Sequence, residues 1–359
     1  MKKILVVDDS ALMRRVLCDI INSDTRFRVV DTAANGVEAF DLLSRKSYDA
    51  VVLDVNMPKM NGLELLKELQ KYKIHARVMM ASTDTREGAQ ITLDALELGA
   101  VDFVHKPESA LDCRGTKFKE NFLRVLAAVA GSMPVMERPV KRADAEATAR
   151  HVLEIVNHHK TTKTAGNRIV AIASSTGGPK ALQSVIPKLP DNLNAPVLVV
   201  QHMPVGFTAS LAERLDSLSA ISVKEAAEGD VLTPGNVYIA RGGMHMNAVA
   251  SRPGRNTIHF SDEPSREGVK PCANYMYESL IKCGYDEVIC VVMTGMGADA
   301  TAGIRNLKVA GKKIHVIAQE QSTCVVYGMP KSVVNAGLAD QTVPLEQIAQ
   351  EIILNVGVM

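Results

Sequence analysis

The stretch Ile169-Val-Ala-Ile-Ala-Ser-Ser-Thr-Gly-Gly178, followed by Pro179-Lys-Ala-Leu-Gln-Ser-Val-Ile186, decides the fold of the second half of the chain. A charge-free run of Ile, Val and Ala suits a central parallel strand covered on both faces. The two glycines permit a sharp turn and leave amide N–H groups uncovered. A helix starting there adds a partial positive charge. Open α/β sheets place ligands and reacting groups at the carboxyl end of such a strand. Ser175 stands there, placed to act as a nucleophile. Ser174 and Thr176 compete with it, and spacing alone does not separate the three. The same residues also suit ordinary turn and N-cap chemistry. The stretch is not a G-x-S-x-G elbow, because position 173 is Ala.

Around that stretch lie further buried strands. Ala195–Gln201 ends in His202, and a helix follows over Phe207–Leu218. Glu287–Met293 runs into Thr294-Gly-Met-Gly-Ala-Asp299 and a helix. Lys313–Ala318 is a fourth strand, with helices at Pro330–Ala336 and near Leu345–Asn355. Between residues 221 and 262, short apolar segments at Val223, Val231, Val237–Ala240 and Thr257–Phe260 are broken by turn residues, which predicts an antiparallel β insertion. Cys272–Cys283 reads as helical. The class is α/β with a mostly parallel sheet.

Ser175, His202 and Asp299 each sit just past a buried strand. A triad needs that placement: His takes the Ser proton, and the carboxylate fixes the imidazole tautomer. Other roles stay open. A lone His at a strand end is often structural, His245 and His259 are alternatives, and Asp299 can simply cap the next helix. The N–H groups of the glycine-rich turn and of Thr176–Gly178 suit an oxyanion hole, worth about 3–4 kcal/mol per donor. A rival reading takes Gly295-x-Gly297-x-x-Ala300, with Glu320 beyond it, as a dinucleotide fingerprint. It leaves Ser175 and His202 unexplained.

The first half alternates strand and helix in five units: Lys3–Val7 and Ala11–Asn22, Phe27–Asp31 and Gly36–Arg45, Tyr48–Asp54 and Leu63–Tyr72, Arg77–Ser82 and Ala89–Leu98, Val101–His105 and Lys117–Val129. This pattern makes a doubly wound five-stranded parallel sheet. Asp8, Asp9 and Asp54 fall at strand carboxyl ends, and Lys106 follows the fifth strand. Clustered carboxylates raise one another's pKa values unless a divalent cation and an ammonium group neutralise them.

The chain has 359 residues, 47% of them hydrophobic, enough for two domains with full cores. The boundaries read as 1–128, a linker over 129–166, and 167–359. In the linker, Ala143–His159 suits a helix, and His151, His158 and His159 are read as part of a hinge-and-helix linker, not as metal ligands. A net charge of +1 gives no basic excess for nucleic acid. No apolar run approaches a membrane span, and the run after Lys2-Lys3 is too short for a signal peptide. Six cysteines without C-x-x-C spacing fit reduced thiols and a cytoplasmic chain.

Residues 1–128 resemble response-regulator receiver domains in Val7-Asp8-Asp9-Ser10, Leu53-Asp54-Val55-Asn56-Met57-Pro58, Gly62, Ser82 and Gly99-Ala-Val-Asp-Phe-Val-His-Lys-Pro107. The resemblance implies Asp54 as phosphoacceptor, Mg²⁺ held by Asp8, Asp9, Asp54 and the carbonyl of Asn56, and Lys106, Ser82 and Phe103 as the switch set. A phosphoryl group adds about −1.5 to −2 charges, enough to bias a two-state surface.

Residues 167–359 resemble bacterial protein-glutamate methylesterases in Ser174-Ser175-Thr176-Gly177-Gly178, Val200-Gln-His202-Met-Pro204, Val237-Tyr-Ile-Ala, Met244-His245-Met246 and Met293-Thr-Gly-Met-Gly-Ala-Asp299. Together the two halves resemble the chemotaxis methylesterase response regulators. That resemblance implies Ser175 as nucleophile, His202 as base, Asp299 as orienting acid and the Met296 amide as oxyanion donor. It implies hydrolysis of glutamate methyl esters on chemoreceptors with release of methanol, related glutamine deamidation, and a histidine kinase as phosphodonor. The chain departs from the family pattern at Ala173-Ser174, where Gly-Ala is usual, at Arg241 for Pro, and at Ala300 for Gly. Ala300 matters if that position needs a positive φ.

Overall fold

The computed structural model describes residues 1–83, 86–107, 112–132, 166–252 and 254–359. The expected linker helix at Ala143–His159 lies outside these described residues. In the first half, β1 (Lys2–Val7) leads to α1 (Ala11–Asn22), β2 (Phe27–Ala33) to α2 (Gly36–Arg45), and β3 (Ala50–Asp54) to α3 (Gly62–Lys71). β4 (Val78–Thr83) leads to α4 (Arg86–Glu97), and β5 (Asp102–Lys106) to α5 (Thr116–Gly131). Side chains fix the helix starts. Ser10 and Asn35 cap α1 and α2, and Asn61 with Glu64 forms a capping box on α3. All strands are parallel in the order β2-β1-β3-β4-β5. The order reverses between β1 and β3, and their carboxyl ends carry the acidic residues.

The second half holds β6 (Arg168–Ser174), α6 (Gly178–Val185), β7 (Val197–Gln201), α7 (Phe207–Leu218), β8 (Ser222–Glu225) and β9 (Asn236–Ile239). A hairpin follows, β10 (His245–Arg252) with β11 (Arg255–Ser261), then α8 (Ala273–Ser279), β12 (Glu287–Val292) and α9 (Thr301–Val309). β13 (Lys313–Gln319), α10 (Met329–Asn335), β14 (Gln341–Val343) and α11 (Leu345–Val356) complete it. The sheet order is β14-β13-β12-β6-β7-β9-β8, with every pair parallel.

The antiparallel insertion is smaller than residues 221–262. Among the described residues only β10 and β11 pair antiparallel as strands, while the segments at Val223 and Val237 extend the main sheet. The connection 226–235 is long enough to carry the chain back over β11, where Leu232 N–H donates to the Asn256 carbonyl at 3.0 Å and Gly229 N–H to that of Ile258 at 2.9 Å. β9 then enters between β7 and β8 in the parallel sense, which a tight hairpin forbids.

The strand order of this sheet reverses between β6 and β12. One face is covered by α6, α7 and α11, the other by α8, α9 and α10. The core under α6 and α7 continues into that of the first half. There α4 packs on α6 and α7, and Phe103 of β5 stacks on Phe207 of α7 with ring centroids 4.6 Å apart. Arg214 of α7 pairs with Asp94 of α4 at 3.1 Å and with Glu97. Among the described residues no helix is long and apolar enough to cross a membrane.

Candidate active site

Ser175 lies at the end of β6, the strand beside the reversal. Its N–H donates to the Thr294 carbonyl of the β12 loop at 3.0 Å, and the Gly178 N–H closes a turn on its carbonyl at 2.7 Å. Gly177, at φ +77, starts α6. The competition among three hydroxyl residues is narrowed by their surroundings. Ser174 is fully buried, and its hydroxyl donates to Gln201 Oε1 at 2.7 Å. Gln201 Nε2 donates to the Ser175 carbonyl at 2.9 Å, tying the turn to β7. A side chain at Gly178 would run into that same Gln201 oxygen. Thr176 is buried and interacts through its side chain with Asp102 of β5.

His202 ends the neighbouring strand, and its N–H donates to the Ser174 carbonyl at 3.1 Å. Adjacent strands lie about 5 Å apart, so this register puts Ser175 and His202 side by side. His202 Nε2 lies 2.8 Å from Asp299 Oδ2. Its other ring nitrogen, Nδ1, is buried without a hydrogen-bond partner among the described residues. The remaining histidine alternatives differ: His259 is exposed and paired with Glu228, while His245 is buried behind Asp299.

Asp299 does not chiefly cap its own helix. Its carboxylate turns to the start of α8, where it accepts from the Ala273 N–H at 2.6 Å, the Asn274 N–H at 2.9 Å and the Cys272 thiol at 3.1 Å. The Ala300 N–H adds a bond at 2.9 Å. Burial works to raise its pKa, but His202 and these donors hold it down at about 2. An ionised carboxylate only accepts, so the imidazole proton sits on Nε2 and Nδ1 keeps its lone pair.

This folded pKa lies below the ordinary 3.8. The carboxylate therefore contributes about 2 kcal/mol of stability that is complete above about pH 4 and lost as pH falls through about 2. Urea melts of wild type and Asp299→Asn should show the variant less sensitive to acid across that window. Equal sensitivity would contradict the assignment.

The turn before Asp299 is shaped by close packing. A Cβ on Gly295 would lie 2.7 Å from Ser175 Cβ and 2.5 Å from Met329 Sδ. Gly295 N–H donates to the Val326 carbonyl at 3.0 Å, and Gly328 N–H to that of Gly295 at 3.0 Å. Ala300 is fully buried and adopts φ +86, so this chain carries a side chain where glycine is the unstrained choice. Arg241 is exposed. Met296 opens into a cavity formed with Asp24, Arg26, Glu120, Leu123, Arg124 and Ala127, so α5 and the turn before β2 face the Met296 turn.

The second cluster lies at the β1–β3 reversal. Ligand oxygens of Asp8, Asp9 and Asp54 all fall within 4.8 Å of one another. Lys106 Nζ donates to Asp54 at 2.6 Å and Asp8 at 2.9 Å. Burial would lower the Lys106 pKa, yet Asp54 and Asp8 outweigh it and raise it. Asp54 is raised, first by burial and then by Asp8, against the pull of Lys106. Asn56 is exposed and lines an open cleft with Asp9. Ser82, buried on β4, pairs in register with His105, next to Thr83 opposite Lys106. Hard oxygen donors clustered at this spacing form an acidic site of the kind that holds Mg²⁺.

The roles of several contributors are not assigned from the sequence, although Gln201 and His245 stand in its motifs. Gln201, Cys272, His245 and the Val325–Met329 segment act through contacts that join distant parts of the chain. Val325 fills the space above Gly177, and Gly328 closes on the Gly295 turn.

A family model described as CheB methylesterase matches residues 170–352, and one described as response regulator receiver domain matches residues 4–114. The protein-glutamate methylesterase/protein-glutamine glutaminase of Bacillus subtilis is 43% identical over 355 residues, covering 98% of each chain. That of Pyrococcus abyssi is 42% identical over 352 residues, covering 98% of this chain and 92% of its own. The crystal structure of the Thermotoga maritima CheB methylesterase catalytic domain is 43% identical, with a TM-score of 0.51, covering 53% of this chain and 99% of that one. The site on the β6–β12 reversal thus lies within a catalytic domain of known kind, preceded by a receiver, and the chain belongs to the CheB methylesterase family.

Proposed function

We propose that Ser175, His202 and Asp299 are the reacting set of a protein-glutamate methylesterase/protein-glutamine glutaminase that acts on chemoreceptors under control of its receiver. The observation that carries this reading is the 2.8 Å contact of His202 Nε2 with the Asp299 carboxylate, itself held by the Ala273 and Asn274 amides, one strand away from Ser175. His202 Nδ1 takes the Ser175 proton as Oγ attacks the ester carbonyl. Asp299 stabilises the imidazolium that forms. The Met296 amide and its neighbours hold the oxyanion. The imidazolium returns its proton to the departing methoxide, which leaves as methanol. Water, deprotonated by the same nitrogen, then attacks the acyl carbonyl left on Ser175, and the imidazolium returns that proton to Ser175 Oγ as the C–Oγ bond breaks and the glutamate carboxylate is released. An amide substrate would follow the same course and release ammonia.

Asp54 is the phosphoacceptor, with Asp8, Asp9, Asp54 and the Asn56 carbonyl holding Mg²⁺. The ion offsets charge on the transferring phosphoryl group when bound, and Lys106 pairs with that group. A chemotaxis histidine kinase is the donor this arrangement implies. Ser82 and Phe103 carry the change outward. Phe103 already stacks on Phe207, so its movement reaches α7, the helix that follows His202. With α5 standing over Met296, the unphosphorylated receiver covers the esterase cleft. The same helices bring Arg214 of α7 against Asp94 and Glu97 of α4.

Asp54→Asn should leave methanol release unresponsive to a small-molecule phosphodonor with Mg²⁺. Removal of residues 1–140 should raise basal release above that of the unphosphorylated full-length chain. A truncated enzyme no faster than that chain would end the covering model.

A further inference from the structure

A second histidine stands behind Asp299. His245, at the start of β10, is fully buried. The Cys272 N–H donates to its Nδ1 at 3.2 Å, and its Nε2 lies 3.3 Å from the Pro264 carbonyl. A ring that accepts at Nδ1 and meets a carbonyl at Nε2 is neutral, with its proton on Nε2. Tyr275 packs on it with centroids 4.5 Å apart, and Arg266 lies over Tyr275. Burial, aided by Lys270, holds the His245 pKa below its ordinary value against the Pro264 carbonyl and Glu263.

Cys272 is the residue on which the Asp299 socket turns. It is the N-cap of α8, without a side-chain cap bond to that helix. Its thiol goes instead to Asp299 Oδ1, and the next two amides go to the same carboxylate. The N–H that His245 holds belongs to the Pro271–Cys272 peptide, and the Cys272 side chain and the two peptides that follow it carry these three donors, so anchoring that peptide fixes where the run of donors begins.

We propose that His245 is a positioning residue for the esterase reaction: as the neutral Nε2–H tautomer it fixes the Cys272 peptide, and so aims the thiol and two amides that hold Asp299 against His202. This rests on the reading of Ser175, His202 and Asp299 as the reacting set. His245 touches neither substrate nor reacting atoms. An acceptor at its Nδ1 position is the feature required, not the imidazole ring as core filling.

The full-length chain with phosphodonor tests this. His245→Asn keeps an acceptor near the Nδ1 position, His245→Leu fills the volume without one, and His245→Gln carries its amide near the Nε2 position. His245→Leu and His245→Gln should lower kcat for methanol release about tenfold to a hundredfold, with KM changed by less than about twofold. His245→Asn should recover most of that loss. Cys272→Ser, which retains a donor, should exceed Cys272→Ala in kcat. The downfield proton resonance of the His202–Asp299 hydrogen bond should shift in His245→Leu and not in His245→Asn. If Leu does not fold, the Asn and Gln pair decides alone. Equal loss in Asn and Gln, or unchanged kcat in both, would overturn the proposal. Wild-type chain releasing no methanol, with the resonance still responding to Leu and not Asn, would instead overturn the reaction assigned and keep the positioning role.

Discussion

Ser175→Ala should lower the rate of methanol release by about four to six orders of magnitude, some 5–8 kcal/mol of barrier. The expectation follows from what the other hydroxyls at that turn are doing. Ser174 is buried and spends its proton on Gln201, and the carbonyl of Thr176 accepts from Thr294 Oγ1 at 3.0 Å while its side chain faces the receiver. Neither can take over without rebuilding the β6–α6 turn. Binding of the substrate should survive, because the oxyanion donors proposed above are backbone amides that the substitution leaves in place. The measurement is single-turnover methanol release from methylated receptor membranes. A loss of only tenfold would mean that Ser175 is not the nucleophile.

Asp299→Asn should cost about 10⁴ in kcat for a different reason. The carboxylate faces five donors: His202, Ala273, Asn274, Ala300 and the Cys272 thiol. An amide supplies one accepting oxygen and must turn its NH₂ toward some of them. With the oxygen kept on the Asn274, Ala300 and Cys272 side, the NH₂ faces His202. The imidazole then accepts at Nε2 and carries its proton on Nδ1, the nitrogen that must be free to receive the Ser175 proton. The fold should persist while the base is lost. Measured kcat within tenfold of wild type, in a variant that stays folded under the assay conditions, would show that the tautomer is set by something other than Asp299.

Much of this architecture is legible in the residues. Charge-free runs such as Ile169–Ala173 and Glu287–Met293 announce strands buried on both faces, and the acids at 8, 9 and 54 stand out because strand ends converge. Ser175, His202 and Asp299 are visible for the same reason. What stays hidden depends on contacts between distant segments. Val223 and Val237 sit among turn residues that suggest hairpins, yet the length of the 226–235 connection makes them parallel neighbours. Asp299 follows a glycine-rich turn and looks like a cap for the helix after it, while its carboxylate serves α8 from a neighbouring layer. A solitary cysteine and a histidine in Met-His-Met give no local sign that they meet behind it. The positive φ of Ala300 is a backbone fact that no side-chain pattern records, although the glycine expected there pointed to it.

Everything above rests on the proposal that one chain joins a receiver switch to a serine esterase. Methanol release from methylated chemoreceptor membranes, with and without a small-molecule phosphodonor and Mg²⁺, tests it most directly, with Ser175→Ala alongside. Release should rise with phosphodonor and vanish in the variant. Release that ignores the phosphodonor, or persists in Ser175→Ala, would contradict it.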